Sequence, residues 1–140
     1  MAKVLVVDDN DFVRKALEKT LQLMGHDVAA AGDPLVGLDL ALAAPPDLAL
    51  LDYHMPGMDG AELLRAMRER LRERCPVAIF VTASLPEDIL PLDGTVAGVV
   101  KKPFHLHELR AAVDDALRQA RAEAAAADVA QTVRAGASGA

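Results

Sequence analysis

The stretch "LALLDYHMPGMDG", residues 48–60, decides how this chain is read. Four apolar residues run unbroken into Asp52, and a loop with Pro56, Gly57 and a second aspartate, Asp59, follows. A strand apolar at every position is covered on both faces, as in a parallel sheet packed between helices, whereas a strand with one wet face alternates. "LALL" therefore predicts a central parallel strand with Asp52 at its carboxyl end. Aspartate is also an ordinary turn residue, so Asp52 taken alone is ambiguous.

The same pattern recurs outward in both directions. "KVLVV" (3–7) is a β-branched strand that ends on Asp8 and Asp9. Phe12, Ala16, Leu17, Leu21 and Met24 then fall at helical spacing, with Gly25 as the closing residue. "DVAAA" (27–31) is a weaker strand, and Asp33-Pro34 reads as an N-cap with proline in the first turn of a helix carrying Leu35, Leu38 and Leu42. After Gly60, the residues Leu63, Leu64, Met67 and Leu71 form another apolar stripe, and the Arg/Glu run at 68–74 is its solvated face. "VAIFVT" (77–82) is the clearest strand. Pro86 and Pro91 allow only a short helix over residues 83–95. "AGVVK" (97–101) is a fifth strand, and Leu106, Leu109, Val113, Ala116 or Leu117, and Ala120 trace a last helix. The order is βα repeated five times, with right-handed crossovers expected. Residues 1–121 make one domain. Residues 122–140 are alanine-rich and predict a turn or two of helix extension followed by a disordered tail.

The totals exclude several classes of function. A chain of 140 residues is one domain with room for a core, and a net charge of −6 is no footprint for direct nucleic-acid binding or for an anionic membrane. No run approaches the length needed for membrane insertion. Cys75 is the single cysteine, sits before Pro76, and reads as inert; a cytoplasmic location is expected.

In an open parallel sheet, ligands sit beyond the carboxyl ends of the strands. There this sequence delivers Asp8 and Asp9, Asp52, Thr82 with Ala83 and Ser84, and Lys101 with Lys102. Two carboxylates about 5 Å apart repel by about 3 kcal/mol at an effective dielectric near 20. A divalent cation removes that cost, and oxygen ligands without a His or Cys cluster favour Mg²⁺ or Mn²⁺ over Zn²⁺. A metal, an ammonium and a hydroxyl around one carboxylate can cradle three phosphoryl oxygens, with Asp52 as the attacking group.

"VLVVDDN", "LLDYHMPGMDG", "FVTAS" and "VVKKPF", in this order, resemble the receiver domain of bacterial response regulators over roughly residues 3–120. The resemblance implies a flavodoxin-like (βα)5 doubly wound five-stranded parallel sheet of order 2-1-3-4-5. It also implies a phosphorylation-dependent signalling module of a two-component phosphorelay, with at most slow autodephosphorylation. Asp52 matches the phosphoacceptor, Thr82 the switch hydroxyl and Lys102 the phosphate-binding lysine, with a cis bond to Pro103. Asp8, Asp9, Asp52 and the backbone carbonyl of His54 match the Mg²⁺ site, Asp9 as the more direct ligand and Asp8 through water. Lys101, one residue earlier, should point away. The implied partners are a sensor histidine kinase or histidine phosphotransfer protein and a downstream protein target of unknown identity.

The His54 side chain is expected in solvent rather than on metal, bordering the path of the water that would dephosphorylate Asp52. His105 and His107 are expected on different faces of a helix start, as poor joint ligands. Val99 departs from the family, which commonly has an aromatic residue three positions before the lysine. The proline-broken segment after Ser84 is a second departure on the same output face. No output domain is expected in the residues after the last helix. Two alternatives remain: a non-phosphorylated receiver-like interaction module and, further off, a phosphatase of the haloacid dehalogenase type. The latter wants its nucleophile on the first strand and an aspartate where His54 stands.

Overall fold

The computed structural model describes residues 1–84 and 95–138, with side chains through residue 126. Its elements are β1 (Lys3–Val7), α1 (Asp11–Leu23), β2 (Asp27–Ala31), α2 (Pro34–Ala43), β3 (Leu48–Leu51), α3 (Gly60–Leu71) running into a 3-10 turn (Arg72–Arg74), β4 (Val77–Thr82), β5 (Val96–Lys101) and α4 (Leu106–Ser138). The helix expected between Ser84 and Thr95 lies outside the described residues. The five strands are parallel in the order β2-β1-β3-β4-β5, the flavodoxin-like order.

The unbroken apolar strands now have a physical reason. Successive side chains leave a strand on opposite faces. Val4, Val6, Leu48, Leu50, Val77, Ile79 and Val81 enter one core with α1 and α4, while Leu5, Val7, Ala49, Leu51, Ala78 and Phe80 enter a second with α2 and α3. Every residue of β3 and β4 is buried. The edge strands are more open, and in β5 Val99 is 40% exposed.

Helix starts follow their caps. The Asn10 side chain accepts from the Val13 N–H, Asp33 caps α2 with Pro34 in its first turn, and Asp59 forms a reciprocal capping box with Glu62. Three details of the sequence reading are corrected. The inward stripe of α1 is Val13, Leu17, Leu21 and Met24, at helical spacing, while Phe12 is 84% exposed and Ala16 is exposed. Leu35 and Leu106, in the first turns of α2 and α4, also face outward; α2 buries Pro34, Gly37 and Ala41 instead. And α4 continues to Ser138, well past a turn or two beyond residue 121. Alanine is the best helix former, and no proline interrupts this run. Among the described residues, no helix is long and apolar enough to cross a membrane.

Candidate functional site

Register brings the polar strand ends together. Val7 pairs with Leu51, so Asp8 and Asp52 follow side by side on neighbouring strands. Leu51 pairs with Phe80 and Thr82 with Lys101, which sets Thr82 and then Lys102 just beyond Asp52 along the same edge. The carboxylates of Asp8, Asp9 and Asp52 offer oxygens that all lie within 4.8 Å of one another. Asp8 is 1% exposed and Asp52 7%, whereas Asp9 is open to solvent.

Lys102 holds this cluster together. Its Nζ donates to Asp8 Oδ2 at 2.8 Å and to Asp52 Oδ2 at 3.3 Å. Burial disfavours its charge and is the largest single influence. The bond to Asp8 and the charges of Asp8 and Asp52 together overcome it, so its pKa is raised above the ordinary lysine value. Lys101 is exposed, as strand alternation requires. The Lys102–Pro103 bond is cis.

The loop after β3 is shaped by two glycines. Gly57 sits at φ +86, where a side chain would be strained. Gly60 donates its N–H to the Tyr53 carbonyl at 2.8 Å, and a Cβ there would stand 2.5 Å from the Asp52 carbonyl oxygen. The first turn of α3 thus lies directly against the backbone that carries Asp52. The His54 N–H points to Asp52 Oδ1 at 3.4 Å.

Thr82 is 2% exposed, and its hydroxyl donates to the Ser84 carbonyl at 3.2 Å. His54 Nε2 reaches the same carbonyl at 3.1 Å and the Ser84 hydroxyl at 3.3 Å. The His54 ring is exposed, as expected, and it also ties the loop after β3 to the loop after β4 and meets the edge of Tyr53. Sequence reasoning missed Ser84 as its partner because nothing in local spacing joins residues 30 positions apart. The His105 and His107 rings also come together, stacked with centroids 5.5 Å apart. His105 precedes α4, so the helical-face argument that separated them does not apply to it.

A donor set of three carboxylates is hard and oxygen-only, and it carries excess negative charge that one lysine does not cancel. Such a set suits Mg²⁺ or Mn²⁺.

Residues 4–114 match the family described as the response regulator receiver domain. The chain is 34% identical over 130 residues to response regulator MprA of Mycobacterium avium, covering 93% of this chain and 57% of that protein. It is 32% identical to MprA of Mycobacterium leprae over 130 residues, with the same coverage of 93% and 57%. The chain thus spans little more than half the length of these curated relatives. Among solved structures, chemotaxis protein CheY4 of Vibrio cholerae superposes with a TM-score of 0.75 at 30% identity, covering 83% of this chain and 98% of that one. A response regulator receiver domain from Clostridium thermocellum, at 23% identity and TM-score 0.76 over 86% of this chain and 98% of that one, shares the fold.

Proposed function

The chain belongs to the response-regulator receiver family of regulatory phosphoacceptor modules, and on that premise we propose that Asp52 accepts a phosphoryl group from a phosphohistidine. The observation that carries this is Lys102 Nζ seated between Asp8 and Asp52 at the rim of the three-carboxylate cluster. A carboxylate oxygen of Asp52 forms the new O–P bond as the donor's N–P bond breaks. The electron pair leaves on the imidazole nitrogen, which takes up a proton from water.

Asp8, Asp9, Asp52 and the His54 backbone carbonyl would hold Mg²⁺, which when bound supplies positive charge to the phosphoryl oxygens. Lys102 binds a phosphoryl oxygen with the ammonium that now bridges two carboxylates. Thr82 donates its hydroxyl to another, leaving the Ser84 carbonyl it occupies here. His54 Nε2 lies 3.1 Å from that carbonyl, so in the tautomer protonated at Nε2 the carbonyl keeps a donor when Thr82 departs. We read the His54 ring as bordering the approach of the hydrolytic water and tuning the lifetime of the acyl phosphate.

Residues 1–121 form the receiver unit in this reading, with residues 122–140 as an appended helical extension. Acting in the cytoplasm, the chain takes its phosphoryl group from a sensor histidine kinase or a histidine phosphotransfer protein, and the charge added at Asp52 changes contacts with a protein target. The test is incorporation of label from a small phosphodonor or a cognate kinase with Mg²⁺. Wild-type protein is expected to take up one phosphoryl group; label at the same stoichiometry in Asp52→Asn sinks the assignment.

A further inference from the structure

Asp8 is almost wholly buried, and each of its polar groups has a partner. Its N–H donates to the Ala31 carbonyl at 3.1 Å, its Oδ1 accepts from the Asn10 N–H at 2.9 Å, and its Oδ2 accepts from Lys102. The fourth group, the backbone carbonyl, points out of the β-ladder at the start of the turn that presents Asp8 and Asp9. It accepts from Arg14 Nη1 at 3.0 Å. The side chain grips the same turn once more, its Nη2 pairing with Asp11 at 2.5 Å; the Arg14 backbone N–H to the Asn10 carbonyl, at 2.9 Å, is the first-turn bond of α1 and needs no arginine.

Glycine at position 32 makes room for this. A Cβ on Gly32, in the turn between β2 and α2, would stand 2.7 Å from Arg14 Nη1 and 3.2 Å from Cζ. The Nη1 end of the guanidinium therefore sits close against the backbone of a second loop while it reaches into the first. Arg14 joins α1, the end of β1 and the β2–α2 turn behind the acidic pair, without touching an acidic-pair carboxylate in any contact described above.

We propose that Arg14 is the positioning residue for the Asp8–Asp9 turn, fixing the Asp8 carbonyl so that both carboxylates face a shared divalent cation, and that Gly32 preserves its seat. The inference rests on the reading of Asp8, Asp9 and Asp52 as a cation site. It has a distinctive sign. By charge alone, removing an arginine beside three carboxylates tightens cation binding; removing a positioning group loosens it.

The experiment is a Mg²⁺ titration of the full chain by calorimetry. Fluorescence of Tyr53 serves as a second readout, since the sequence has one tyrosine and no tryptophan, and thermal stability is recorded alongside. Arg14→Ala is expected to weaken Mg²⁺ binding by about 10- to 100-fold, the usual cost of losing a group that orients a metal ligand. Arg14→Lys is not expected to restore it, because one ammonium does not replace the fork that reaches both the Asp8 carbonyl and the Asp11 carboxylate. Gly32→Ala keeps Arg14 and displaces only the flexible end of its side chain. It should weaken binding in the same direction, and Arg14→Ala with Gly32→Ala together should match Arg14→Ala alone.

Folded variants that bind Mg²⁺ as tightly as wild type, or more tightly, overturn the proposal. If Arg14→Ala does not fold, Gly32→Ala decides. A wild-type protein with no Mg²⁺ response overturns the reading of the site and this inference with it, whereas a wild-type response unchanged in the variants overturns the inference only.

Discussion

The centre of the sheet and its β5 edge are built differently. In β3 and β4 every side chain is buried, between cores on both faces. At β5, Val99 is 40% exposed, a Cβ on Gly98 would meet nothing within 4 Å, and the pairing with β4 skips from Val96 to Gly98, leaving Ala97 as a bulge. Only Val100 is fully buried on β5, with Val96 and Ala97 partly packed, so less apolar burial resists displacement there than in β3 and β4. The carboxylates follow the more buried strands, and Lys102 follows the more open one. On the proposed phosphoacceptor reading, this division would hold Asp52 fixed while the strand carrying Lys102 adjusts.

The largest effect that tests this contrast is at the centre. Asp52→Asn, nearly isosteric, is expected to drop phosphoryl incorporation to background while leaving the fold intact by circular dichroism. Next comes packing. Leu50→Ala, beneath Asp52 in the strand, should cost about 2–5 kcal/mol in denaturant unfolding. A loss under 1 kcal/mol would show that the centre is no stiffer than the edge. Gly60→Ala pushes a methyl group toward the Asp52 carbonyl and should cost about 1–3 kcal/mol, with slower incorporation from a small phosphodonor. Val99→Ala should fall within about 0.5 kcal/mol of wild type; a penalty above 2 kcal/mol would break the comparison from the other side.

The smallest effect is in pH. The pKa of Lys102 is raised in the folded protein, so the stability it contributes is fully present below the ordinary lysine value of about 10.4 and is lost only as pH climbs through the higher folded value. The difference in denaturant midpoint between wild type and Lys102→Met should be flat from about pH 6 to 9 and narrow only in stronger alkali. Narrowing near neutrality would mean that Asp8 and Asp52 do not hold the ammonium as described.

The strands were legible because burial on both faces writes itself as an unbroken apolar run, and β1, β3 and β4 have such runs; their order in the sheet came only from the resemblance to the receiver family. Asp52 and Lys102 were legible because each follows a run at a register the topology then fixes. Helix rotation was harder to read. Phe12 falls on the wrong face for the core: at about 100° per residue it lies opposite Leu21, whereas Val13 shares the arc of Leu17, Leu21 and Met24 that meets the core. The length of α4 was underestimated because low-complexity alanine reads equally as helix or as tail. The contact of Arg14 with the Asp8 carbonyl and that of Ser84 with His54 went unseen for another reason: one partner is a backbone carbonyl and the other a distant histidine, and neither contact leaves a trace in residue spacing.

The ion pair between Lys102 and Asp8 joins residues 94 positions apart. Closing so long a loop carries an entropic cost that only the assembled sheet offsets. The acidic pair, the strand-end aspartate and the lysine therefore share a site only after the first and last strands have found the same sheet. A chain emerging from synthesis has Asp8, Asp9 and Asp52 long before it has Lys102, and until then the carboxylates lack that counter-charge. Assembly of the site is in this sense a proofreading step on folding: competence to bind at that edge certifies that the whole domain has closed.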